Sequence, residues 1–86
     1  MSKYAIVIAP RAKKQIDSLP EIIKSKIARV LIDILADNPY IGKPLKAELR
    51  GLYSYRVADY RIIYSILKQE LIIQIIKVMH RKEVYR

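Results

Sequence analysis

Two arginines, Arg56 and Arg61, flank a short polar break in a run rich in Tyr, Val and Ile that extends from Arg50 to Leu67. Runs of this kind on either side of Ala58-Asp59 read as a β-hairpin. A two-residue turn at Ala58-Asp59 pairs Val57 with Tyr60 and sets Arg56 directly opposite Arg61. A four-residue loop from Val57 to Tyr60 gives the same arginine pair. Both guanidinium groups then leave the sheet on one face as neighbours. Like charges placed opposite each other cost a hairpin roughly 0.2–1 kcal/mol. A local rule broken without visible compensation points to a site. An anion would relieve the repulsion, and phosphate matches the planar arginine fork.

Composition narrows the chemistry further. At 86 residues the chain is read as a single domain spanning 1–86, and such a domain buries about 60–65% of its unfolded surface. A hydrophobic fraction of 52% excludes a disordered chain. There is no cysteine and only one histidine, so neither a disulfide framework nor a metal site is expected, and no cofactor is implied. The apolar runs are too short to span a bilayer and the N-terminal residues lack a signal-peptide pattern, which makes a cytoplasmic location the expectation. Lys and Arg total 17 against 8 Asp and Glu, a net charge of +9. That field favours a polyanion, either nucleic acid or an acidic protein. Of the seven tyrosines, Tyr53, Tyr55, Tyr60 and Tyr64 fall in the hairpin. Tyr is common in strands, so their number alone does not establish base stacking.

The remaining elements must position this hairpin. Lys3 to Ala9 reads as a first strand ended by Pro10, which suits the first turn of a helix. Arg11 to Leu19 is a short basic helix with Ala12, Ile16 and Leu19 on its buried side. Pro20 breaks it and starts a longer helix, Glu21 to Ala36. There Ile23, Ile27, Val30, Leu31, Ile34 and Leu35 form one apolar stripe, until Asp37-Asn38-Pro39 stops it. Asn38 to Gly51 is a connection carrying both glycines and the basic residues Lys43, Lys46 and Arg50. Its length hints at a functional surface. Leu71 to Val78 is apolar on both faces and fits a central strand covered on both sides. Its register leaves open whether Lys77 joins the arginine row. Met79 to Arg86 is too polar to be core. The order β-α-α-β-β-β predicts an α+β fold, with a helical hairpin on one face of a mostly antiparallel four-stranded sheet. Tyr53, Tyr55, Tyr60, Ile62 and Tyr64 share one phase, to which the helices are assigned. Ser54, Arg56, Arg61 and Ile63 share the other, which is expected to stand open.

Four blocks in sequence, Gly42-Lys43-Pro44-Leu45, Leu49-Arg50-Gly51-Leu52-Tyr53, Arg56-Val57 through Asp59-Tyr60-Arg61-Ile62-Ile63-Tyr64, and His80-Arg81-Lys82-Glu83-Val84-Tyr85, resemble the RelE toxins of bacterial and archaeal toxin–antitoxin systems. The resemblance covers essentially the whole chain. It implies a metal-independent endoribonuclease that enters the ribosomal A site and cuts mRNA there. By position it carries over Arg61, Arg81 and Tyr85, the terminal tyrosine. Arg56 falls where well-studied members have a lysine, and Ser54 where they have a second one, which leaves the general base unassigned. Lys43, Lys46, Arg50, Ser54, Lys77 and Lys82 complete the set expected to contact RNA or phosphate.

Metal-free cleavage requires the 2′-OH to attack the adjacent phosphorus, with a base, an acid and cations for the developing charge. Arg56, Arg61 and Arg81 can supply cations but not a base, since arginine stays protonated. Proton transfer then falls to His80 or Tyr85. His80 has the better intrinsic pKa, about 6.5 against about 10. Clustered arginines would lower the tyrosine value, or Tyr85 would instead stack on the nucleotide. The related ParE-type toxins, which inhibit DNA gyrase without nuclease activity, are the main rival. A non-catalytic RNA-binding module is the other. The resemblance also implies, as partners, the ribosome, mRNA and a cognate RelB-like antitoxin, expected to be acidic and helical. That antitoxin would lie along the helical hairpin or the sheet edge and displace the tail, making the chain a monomer or part of a toxin–antitoxin hetero-oligomer.

Overall fold

Pro10 follows β1 (Ala5–Ile8) and occupies the first turn of α1 (Pro10–Asp17), where its missing N–H leaves no bond unmade. The structure, a computed structural model, describes residues 3–84. Helix α1 stops short of Leu19, which precedes Pro20 and is disfavoured in helical backbone for that reason, and the Ser18 hydroxyl donates to Gln15 O at 2.8 Å in the last turn. Pro20 precedes α2 (Glu21–Arg29), which continues into a π-helical stretch, Val30–Leu35. Ile27, Leu31 and Leu35 of the expected stripe are buried, and Ile23, Val30 and Ile34 pack around them.

Among the described residues the sheet has five strands rather than the four expected. The additional one is β2 (Lys43–Pro44), only two residues long, inside the segment read as a connection. A pair of residues carries no alternation from which a strand could be read. It is followed by β3 (Tyr53–Val57), β4 (Tyr60–Leu67) and β5 (Ile72–His80). The spatial order is β1-β5-β4-β3-β2, with β1 parallel to β5 and every other pair antiparallel. Strand β5 extends through Met79 and His80, which the polar composition there had concealed, and a short helical turn, α3 (Arg81–Val84), follows. Among the described residues no helix is long and apolar enough to cross a membrane.

The helices cover the face expected. Ile62, Tyr64, Ile73, Ile75 and Val78 are buried with Ala12, Ile27, Leu31 and Leu35 in one core. Strand β5 is fully covered only on this face. Ile72 and Ile76, in the opposite phase, are half-buried.

Tyr64 ties this core to the connection that follows α2. Its hydroxyl donates to Pro39 O at 2.6 Å, and its ring stacks on Tyr53 at 5.8 Å. Burial pushes its pKa from 10.0 up to about 12. Replacing Tyr64 by Phe removes the hydrogen bond and is expected to cost about 1 kcal/mol at neutral pH. The unfolded chain loses the phenolic proton before the folded one does, so the tyrosine's contribution is complete below pH 10.0 and is lost towards about 12. Urea unfolding at about pH 8 and about pH 11 checks the sign. Wild type should lose more stability between the two than Tyr64→Phe does.

Candidate functional site

The hairpin register sets Arg56 opposite Arg61 and Val57 opposite Tyr60, so Ala58 and Asp59 form a two-residue turn. Ala58 takes a positive φ of 54°, which two-residue hairpin turns of the primed types require. Arg56 leans back over this turn, its Nε–H donating to Ala58 O at 3.0 Å. Arg81, the first residue of α3, reaches the same turn from β5. Its backbone N–H donates to Asp59 O at 2.7 Å, and its guanidinium lies 3.9 Å from Asp59 Oδ1. Arg61 is half-buried between them, with Nη1 at 3.5 Å from Ser54 Oγ.

The three guanidinium groups line a cavity of about 100 Å³ together with Asp59 and Tyr60. Three cations face one carboxylate there. A cluster of this kind has the charge and the forked donors to take an oxyanion. Neither Asp59 nor Met79, which stands opposite Arg61 in the row of Arg56, was singled out from sequence. The aspartate sits in a turn dipeptide that looks purely structural. Met79 lies beyond the apolar run that marks β5.

The lysines divide by register. In the ladder from β2 to β5, Lys43 pairs with Ser54, Ser54 with Ile63, and Ile63 with Lys77. Paired residues share a face, so Lys77 does lie on the arginine side. Its placement depends on a bulge, because Ile63 pairs with Lys77 while Tyr64 pairs with Ile75, leaving Ile76 over. Lys46, Arg50 and Lys82 are exposed and do not line the arginine cavity. The arginine face is open towards the hairpin turn. Further along, Ser54 and Ile63 are buried, beneath the segment that follows β2.

His80 stands elsewhere. It pairs with Tyr60, in the alternate phase to Arg61, and its ring packs edge-on against the Tyr60 ring at 5.1 Å. Its Nδ1 accepts the Lys82 N–H at 3.2 Å, and its own backbone N–H donates to Glu83 Oε1 at 3.1 Å. The histidine thus shapes the junction of β5 with α3 and does not line the arginine cavity. Tyr85 lies outside the described residues.

One helix residue sets the end of β5. Strand β1 finishes opposite Ile75, and Gln15 of α1 takes up the edge beyond it, its Oε1 accepting the Val78 N–H at 2.8 Å. Gln15→Leu would leave that half-buried N–H without its acceptor, at a cost of about 1–2 kcal/mol. Amide hydrogen exchange should show Val78 losing protection in this variant. Undiminished protection would show that another group holds the strand end.

A family model described as ParE toxin of type II toxin–antitoxin system, parDE, matches residues 6–85. The chain is 34% identical over 84 residues to Toxin RelE of Mycobacterium tuberculosis, covering 96% of this chain and 87% of that protein. It is 31% identical to Toxin RelG of the same organism, covering 96% and 97%. A crystal structure of the toxin–antitoxin complex RelBE2 from M. tuberculosis superimposes with a TM-score of 0.86 at 30% identity, covering 92% of this chain and 99% of that one.

Proposed function

The chain belongs to the RelE/ParE family of toxins of type II toxin–antitoxin systems, and on that premise we propose that it is a ribosome-dependent endoribonuclease that cleaves mRNA in the A site. The observation that carries this reading is the convergence of Arg56, Arg61 and Arg81 on one cavity. In the proposed reaction the 2′-oxygen bonds to phosphorus as the P–O5′ bond breaks, leaving a 2′,3′-cyclic phosphate and a 5′-OH. The 2′ proton goes to a base, and the 5′-oxygen receives one from an acid. The three arginines hold the non-bridging oxygens as negative charge grows on them. Among the described residues no imidazole lines the cavity, and the one carboxylate there, Asp59, is engaged by Arg81. Proton transfer is assigned, on the resemblance, to Tyr85, whose pKa a neighbouring arginine cluster would lower. Lys77, on the same face, is assigned to a flanking phosphate.

As partner we assign an acidic, helical antitoxin. The net charge of +9 supports it, as does the similarity to a toxin solved in complex with its antitoxin. Binding of such a protein should weaken as salt rises. Salt-independent affinity would argue for an apolar interface instead.

Primer extension on mRNA in programmed ribosomes tests the enzyme reading, with wild type beside Arg61→Ala. Cleavage at an A-site codon by wild type that is lost in the variant supports it. A second reading, gyrase inhibition without nuclease activity, draws on the ParE description of the matching family model and on Ser54 standing where the resemblance expects a lysine. Absence of cleavage by folded wild type, with inhibition of gyrase supercoiling, would establish that reading.

A further inference from the structure

A second cavity, of about 300 Å³, adjoins the arginine cavity on the same face of the sheet. Arg61 lines both. Its floor is the pair Ile63 and Met79, on β4 and β5, and its roof is Leu45 and Leu49 from the segment between β2 and β3. The roof is tied down at each end. Leu45 N–H donates to Leu52 O at 2.9 Å, and Leu52 N–H donates to Leu49 O at 3.0 Å. At its centre Ala47 holds a φ of 56°, a left-handed conformation that costs a residue with a Cβ roughly 1–2 kcal/mol. The apolar walls therefore stand formed before anything binds.

The remaining lining is polar and sits at one side. Lys43 is exposed at the rim, and Ser54 is only 3% exposed. Ser54 Oγ accepts from Arg61, which leaves its O–H as a donor. An apolar cavity with donors among its lining can take a nucleobase, whose faces are apolar and whose edge accepts hydrogen bonds. Its volume falls at the small end of ligand sites, which run from about 300 to 1,000 Å³. Because Arg61 is common to both cavities, a nucleotide whose phosphate lies against that guanidinium has its base within reach of the slot.

We infer that this cavity is a nucleobase subsite, holding the base attached to the phosphate bound at Arg61 and reading its edge through Lys43 and Ser54. The inference rests on RNA being the substrate, as proposed above. Two donors favour a base edge that presents a carbonyl oxygen, as guanine does with O6 beside N7. A leucine or similar side chain from a protein partner would fill the walls. It would offer Ser54 no acceptor, however, and bring no charge to Lys43 or Arg61.

The test is an NMR titration of the full chain with guanosine 3′-monophosphate and, separately, with inorganic phosphate. The nucleotide should shift the methyl signals of Leu49, Ile63 and Met79. Phosphate alone should move only the arginine Nε–H signals. Lys43→Gln, an exposed change that leaves the core intact, should weaken the nucleotide about tenfold, about 1.4 kcal/mol. Its effect on phosphate should be much smaller. If nucleotide and phosphate move the same signals, or the methyls respond only to an antitoxin protein, the inference is overturned. The outcome is separable from the nuclease reading. Base-dependent shifts in a chain that cuts no mRNA would retain the subsite and remove the enzyme. Cleavage whose codon preference is identical in wild type and Lys43→Gln would do the reverse.

Discussion

Arg61→Ala is expected to cleave mRNA in programmed ribosomes about 10²–10³-fold more slowly than wild type, the loss typical of removing one preorganised donor to a developing oxyanion. The three arginines are not equivalent in the free protein. Arg56 is occupied by Ala58 O, and Arg81 is held to Asp59 by backbone and side chain. Arg61 has only a long contact with Ser54, and it is the most enclosed of the three. It is therefore the guanidinium with the most hydrogen-bonding capacity left for a phosphate. Stability should move in the opposite sense to activity. Removing Arg61 ends its confrontation with Arg56, worth roughly 0.2–1 kcal/mol, so the melting temperature should hold or rise. Single-turnover primer extension and a thermal melt on the same preparation read both. A slow variant that also melts well below wild type would mean Arg61 supports the fold. An unimpaired rate would remove it from the site.

Gly42→Ala should be the most damaging of the small substitutions, by about 2–3 kcal/mol, in the range of core overpacking. A Cβ at this position would overlap the Tyr64 hydroxyl, approach Tyr64 Cζ to 2.9 Å and meet the Ser54 carbonyl oxygen at 3.1 Å. None of these groups can yield cheaply. The Tyr64 ring is fully buried and its hydroxyl is bonded to Pro39 O, while the Ser54 oxygen belongs to a strand backbone. For a domain of this size each kcal/mol moves the melting temperature by about 4–8 °C, so a fall of roughly 10–20 °C is the expected result. A melt within a degree or two of wild type would show that β2 simply lifts away from Tyr64. Activity should suffer as well, because Lys43 follows directly and its pairing with Ser54 would be displaced.

The parts of the molecule legible in the sequence are those specified by local patterning. The α2 stripe, the hairpin register and the Arg56–Arg61 pair all follow from spacing within one element or one tight turn. What escaped was set by tertiary contact. The two-residue β2 exists because β3 offers it an edge. Lys77 could not be placed, since its face depends on where β5 takes an extra residue. His80 resembled a site residue by type and neighbourhood. Yet one step of strand alternation turns it to Tyr60 and away from the arginines. The roof over Ile63 was missed for the same reason, as Leu45 and Leu49 carry no repeat that ties them to a face.

The parallel ladder between β1 and β5 constrains how the molecule comes into being. Ala5 pairs with Ile72 and Ile8 with Ile75, so the first strand synthesised must wait for the last before it has a partner. Closing so long a loop is slow, and the pairing belongs late in folding. The hairpin and meander close over short distances and form first. The end of β5 that delivers Arg81 is steadied by Gln15, a residue of the helix directly after β1. The three arginines are thus brought together by the meander itself, and the late docking of the N-terminal strand with the helix behind it steadies the strand end beside them through Gln15.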